Sequence, residues 1–164
     1  MSEVETDNMD ALAGKYLTFQ LGEEIYGLEI LKVQEIIGMM TITRVPRTPD
    51  FTRGVINLRG KVIPVVELRK KFGLDAVEDT EKTCIIVVQI TLNDSLLTMG
   101  LLVDEVSEVL DVSSDQLEPA PHFGGSVNID FILGIGKVDE RVVMLLDVDK
   151  ALSVDEIKTV TSIE

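Results

Sequence analysis

A chain of 164 residues with 45% hydrophobic side chains can bury a core of its own, which excludes wholesale disorder. Its 29 acidic and 15 basic residues leave a formal net charge of -14, a field that repels phosphate backbones and anionic lipid, and no basic stripe offsets it. Nucleic acid is therefore set aside as a partner, and with aromatics at 4% and no Trp the core must be built from Val, Ile and Leu, a composition that favours strands.

In chain order, the opening "MSEVETDNMDALAG" is acidic where a secretory signal would be basic and then apolar, and residues 1–14 read as a flexible tail. No later run approaches the roughly 18 apolar residues of a membrane span, so a cytoplasmic location is expected. "KYLTFQLGEEIYGLEI" alternates apolar and polar residues around Gly22, Glu23 and Glu24, which predicts strand, turn, strand. "LKVQEIIGMM" predicts one helical turn followed by a strand, ended by the loop "RVPRTPD" with Pro46 and Pro49.

Next come a strand "GVINL", a tight turn at Arg59 and Gly60, and a strand "KVIPVVEL". Pro64 lacks a backbone donor, so this strand is expected at an edge or bulged there. "ELRKKFG" predicts a short helix closed by Gly73, and "AVEDTEK" a solvated connector. Cys84, in "CIIVV", reads as a small buried hydrophobe. Near the end, "DKALSVDEIKTV" predicts a short C-terminal helix with Ser153 and Glu156 spaced as a capping box.

The sequence also repeats itself. "YGLEILKVQEII" (26–37) matches "MGLLVDEVSEVL" (99–110) at an offset of 73, pairing Gly27 with Gly100 and Glu35 with Glu108. "GVINLRGKVIPVVEL" (54–68) matches "GIGKVDERVVMLLDV" (134–148) at an offset of 80. Two matched blocks in one order imply two similar β units, about 16–80 and about 81–150. Each has about five short strands, the pattern of a small barrel, and is too small to bury a core alone, so the two should pack together.

Little in the chain suggests catalysis. His122 is the only histidine and has no partner cluster, and Asp104, Glu105, Glu108 and Asp111 lack the spacing of a calcium loop. "HFGGS" is not a phosphate loop, and no "GxSxG" elbow frames a nucleophile. No metal or cofactor is expected. What remains is a surface argument: the first hairpin tip is "LRGK", the second the ordinary polar "KVDER". Arginine is enriched at interface hot spots, and Val33, Ile36 and Ile37 beside Glu35 make the composition of a groove for an apolar helix. The pattern favours a protein-binding module. A small-ligand barrel or an unrecognised enzyme is the alternative, to be distinguished by a closed polar cavity in place of a shallow apolar groove.

"YGLEILKVQEI", "ITRVP", "GVINLRGKVIPVVELRKKFG" and "LVDEVSEVLDV" together resemble the CheW family of bacterial chemotaxis coupling proteins, over about residues 16–158. The resemblance implies a mainly β fold of two packed SH3-like five-stranded barrels spanning 15–158, with 159–164 as a tail. It implies a monomeric, non-catalytic adaptor between the cytoplasmic tip of methyl-accepting chemoreceptors and the regulatory domain of the histidine kinase CheA, recruited to membrane-associated arrays without entering the membrane. By motif position the receptor would contact Ile30, Val33, Glu35, Ile36, Arg59, Gly60 and Ile85, and the kinase Phe123. Glu118 stands where some relatives carry a basic residue. Arg59 is expected to pair with Glu35 when no partner is bound.

Overall fold

The structure, a computed structural model, describes residues 12–75, 78–92, 94–119 and 132–151. Eleven strands run through them: β1 (Gly14–Leu21), β2 (Glu24–Glu29), β3 (Val33–Gly38), β4 (Thr52–Leu58), β5 (Lys61–Glu67), β6 (Cys84–Leu92), β7 (Ser95–Val103), β8 (Glu105–Val112), β9 (Leu117–Glu118), β10 (Ile132–Val138) and β11 (Arg141–Leu146). The helices α1 (Leu68–Lys71) and α2 (Val148–Ala151) follow β5 and β11, α2 running to the last of the described residues. The expected helical turn before β3 is a 3-10 turn, Ile30–Lys32. As expected, Gly73 ends α1 at a positive φ of 76°, a conformation that glycine adopts without strain.

The fold is mainly β, with two sheets of the SH3-like barrel type. One has the order β8-β1-β2-β11-β10-β9 and the other β3-β6-β7-β5-β4. The first therefore has six strands rather than five; its sixth, β9, is two residues long, too short to produce a period in sequence. The second sheet is one continuous stretch from Val33 to Val103, and the first is assembled from the chain on either side. The chain crosses between them at Ile30–Lys32 and at Asp104, so residue 80 lies inside one sheet's run and is no sheet boundary.

The repeat reappears as matching geometry. Gly27 faces Leu145 across the parallel pair of β2 and β11, and Gly100 faces Val65 across that of β7 and β5. A Cβ on Gly100 would lie 2.8 Å from Ile85 Cγ2, and one on Gly27 3.2 Å from Leu145 Cδ2, so both glycines permit close strand approach. The two hairpin tips also match: Arg59 and Gly60 have φ of 52° and 87°, Asp139 and Glu140 have 50° and 67°. Positive φ at both central positions is the two-residue turn whose twist suits a hairpin. Both hairpins also break register in the same place, between Thr52 and Gly54 and between Ile132 and Gly134.

Pro64 departs from expectation, since β5 lies inside its sheet between β7 and β4. It is tolerated because the parallel ladder to β7 opens only at Val65, and the bulge falls in the partner strand at Arg53. Three cores result. The largest lies between the sheets, where Leu17, Phe19 and Leu28 meet Val66, Ile86 and Leu101. A second fills the first sheet's own barrel with Tyr16, Val143 and Leu145, and a third fills the other with Ile63, Ile85 and Val87. Cys84 is only half-buried, at the margin of the large core. Among the described residues no helix is long and apolar enough to cross a membrane.

Candidate partner-binding surface

β3 is an edge strand, and its two faces do different work. Ile37 pairs with Ile85 and packs into the third core, whereas Ile36 pairs with Ile86, lies on the opposite face and is 45% exposed. A bulge between Val33 and Glu35 resets the alternation, so that Val33, opposite Val88, shares the face of Ile36 although three positions separate them. Ile30 and Val33 are half-buried against the large core. The sequence expectation of one cluster containing Val33, Ile36 and Ile37 is therefore corrected: the strand divides them between two faces.

Glu35, opposite Val87, points to the same side as Ile37 and is met there by Arg59 Nη2, which donates to Glu35 Oε2. The Arg59 side chain remains 67% exposed and that of Glu35 26%. Arg59 sits on the β4–β5 turn and β3 is the opposite edge of the sheet, so this pair joins the two ends as barrel closure requires. A left-handed backbone costs an L-residue about 1–2 kcal/mol. Here the turn is held by Gly60, whose N–H donates to Asn57 Oδ1 at 2.8 Å. The expected pairing of Arg59 with Glu35, and the exposed position of Gly60, are thus present.

Ile85 is a correction of a different kind. Its side chain is 0% exposed, beneath β3 in the third core, so it supports the surface from below and offers a partner no area. Phe123 lies outside the described residues, as do His122, Ser153 and Glu156. Glu118 is exposed and bound within the chain, 2.6 Å from Lys137 Nζ. Sequence reasoning missed two exposed apolar side chains near these elements: Leu31, 93% exposed in the 3-10 turn, and Val62, 53% exposed in β5. No spacing signal marks either: Val62 lies in the unbroken apolar run "VIPVV", and Leu31 is one of only two apolar residues between Glu29 and Lys32, too few to show a period.

The second hairpin is more than an ordinary polar loop. Arg141 Nη2 lies 3.4 Å from Glu108 Oε1, and Glu108 is the repeat partner of Glu35, so both barrels carry a glutamate on the edge strand and an arginine from the hairpin. The match of Glu35 with Glu108 was the signal that could have revealed it. The neighbouring acids are also paired, Asp104 with Arg69 and Glu105 with Lys82. Among the described residues no group of three or more His, Cys, Asp or Glu is placed to hold a metal ion. A recess of about 20 Å³, lined by Arg69, Asp79 and Asp104 together with Leu102 and Val103 among others, has room for about one water.

Residues 15–156 match the CheW-like domain family. Chemotaxis protein CheW of Klebsiella aerogenes is 40% identical over 94% of this chain and 90% of its own length. Chemotaxis protein CheW of Helicobacter pylori is 36% identical over 92% of this chain and 87% of its own. Among solved structures, the scaffolding protein TtCheW of Thermoanaerobacter tengcongensis superposes with a TM-score of 0.76 at 35% identity, covering 88% of this chain and 96% of that one.

Proposed function

The chain belongs to the CheW family of chemotaxis adaptor proteins, and from that membership we propose that it couples chemoreceptors to the histidine kinase CheA without catalysing a reaction itself. The observation that carries the receptor half of this reading is the β3 edge. Ile30, Val33 and the exposed Ile36 lie on its apolar side, while the Arg59–Glu35 pair rims the other. An amphipathic helix binds such a surface by laying its apolar stripe on the isoleucines. Arg59 then exchanges Glu35 for carbonyl or carboxylate oxygens on the helix, a change its planar fork and high exposure make inexpensive.

The CheA half rests on family membership and on Phe123, with Glu118 already engaged by Lys137. Recruitment to membrane-associated arrays follows from the receptor contact rather than from any membrane affinity of a chain with net charge -14. Titrating a chemoreceptor cytoplasmic-tip fragment against the protein tests the reading. Ile36→Asp should weaken binding at least tenfold, about 1.4 kcal/mol, by placing a charge in the apolar contact. Undiminished binding by a folded Ile36→Asp protein would move the receptor site off β3.

A further inference from the structure

The two places where the chain crosses between barrels are each held by an ion pair, and the two pairs are not alike. At the second crossover, Asp104 accepts from Arg69 Nε at 2.7 Å and Nη2 at 2.6 Å, and also from the Gly22 N–H at 2.8 Å. Arg69 belongs to α1, which follows β5 of the second sheet and buries Leu68 in the core between the sheets, whereas Gly22 is in the turn between β1 and β2 of the first. At the first crossover, Lys32 Nζ donates to Asp149 at 3.2 Å, and Asp149 also accepts from the Thr91 N–H at 3.0 Å. Asp149 belongs to α2, which follows β11 of the first sheet and buries Val148 in the core between the sheets, and Thr91 to β6 of the second. Each clamp thus ties a helix, a crossover and a strand or turn across both sheets.

Arg69 and Asp149 are matched positions at the offset of 80 and carry opposite charges, whereas their partners Asp104 and Lys32 lie one residue out of match at the offset of 73, where Lys32 meets Glu105. The strengths differ. Arg69 grips both carboxylate oxygens, is 18% exposed and also donates to the Asp75 carbonyl at 2.8 Å. Lys32 makes one contact at 34% exposure. The weaker clamp holds the 3-10 turn that carries Ile30 and Leu31 into β3.

We propose that the crossovers form an unequal hinge, fixed at Arg69–Asp104 and releasable at Lys32–Asp149, in which Lys32 and Asp149 are positioning residues for the 3-10 turn. The link to partner binding rests on the receptor reading above; the hinge itself does not. A helix that docks on Ile30 and Val33 loads the releasable end and frees the 3-10 turn from Asp149, while Asp149 keeps its hold on Thr91 and the other crossover stays in place.

Amide hydrogen exchange reads each part separately, because the Val33 N–H closes the turn on the Ile30 carbonyl, the Thr91 N–H reports Asp149 and the Gly22 N–H reports Asp104. In the full chain, Lys32→Met should speed exchange at Val33 about threefold to fivefold and leave Gly22 unchanged. Asp149→Asn should do the same while its remaining oxygen keeps Thr91 protected. Arg69→Met should expose Gly22 and lower the melting temperature by more than either. Unchanged exchange at Val33 in both Lys32→Met and Asp149→Asn, or equal effects of Lys32→Met and Arg69→Met, overturns the hinge. Receptor-tip fragment should bind Lys32→Met about threefold more weakly; equal binding with a loosened turn overturns the positioning role. Failure of the unmodified protein to bind any fragment sinks the receptor reading, and the exchange pattern still decides the hinge.

Discussion

Arg59 holds a left-handed backbone and an exposed ion pair in a turn where glycine would be easier, which separates its cost to folding from its use. Arg59→Ala removes a pair of the kind worth under about 1 kcal/mol, so thermal stability should move by no more than about 4 °C. Receptor-tip binding should fall about tenfold, measured beside the melting curve; loss of folding instead would make the arginine structural. Asp104 carries a pH prediction. Burial pushes its carboxyl up, but hydrogen bonds from Arg69 and the Gly22 N–H, with the guanidinium charge, bring it below the ordinary carboxylate value. A depressed folded value means the contribution is present above about pH 4 and lost as pH falls through the folded value. The stability gap between the wild type and Asp104→Asn should be constant near neutrality and close in acid; a gap that widens in acid would reverse the assignment. Arg59 was legible because a charge at a tight turn stands out from an apolar hairpin. The burial of Ile85 was not, because "CIIVV" is covered on both faces and its run carries no inside-outside alternation.

The elements show what periodicity can and cannot carry. Strand β3 and the turn before it were readable in kind, since β-branched residues followed a short helical spacing, but its edge position and the bulge after Val33 were not, and the bulge decides which isoleucine shares a face with Val33. The matched glycines were visible as a repeat, and the structure supplies the reason at the parallel strand pairs. Gly100→Ala should destabilise the protein by about 1–3 kcal/mol in denaturant melts because Ile85 and Val65 must shift. Gly38→Ala, in β3 with no atom within 4 Å of the added carbon, should be neutral or slightly stabilising. Equal costs at the two sites would mean that strand proximity is not what Gly100 provides.

For the whole molecule, the fold class and the internal repeat were both legible, whereas the assignment of strands to sheets was not. Pairing between β2 and β11, or β5 and β7, joins residues far apart in sequence and leaves no local trace. The result is that one barrel is continuous, the other is assembled from both ends, and the largest core lies between them. Core and surface should therefore respond in opposite ways. Ile85→Ala should cost about 2–5 kcal/mol of stability. Ile36→Ala should cost little stability and still weaken partner binding, because its side chain is already 45% exposed.

The coupling role itself is tested most directly by following phosphate incorporation into CheA with receptor-containing membranes, with and without this protein and with its Arg59→Ala variant. Strong activation by the unmodified chain and little by the variant is the predicted result. No activation by a folded chain with its cognate partners would contradict the adaptor function.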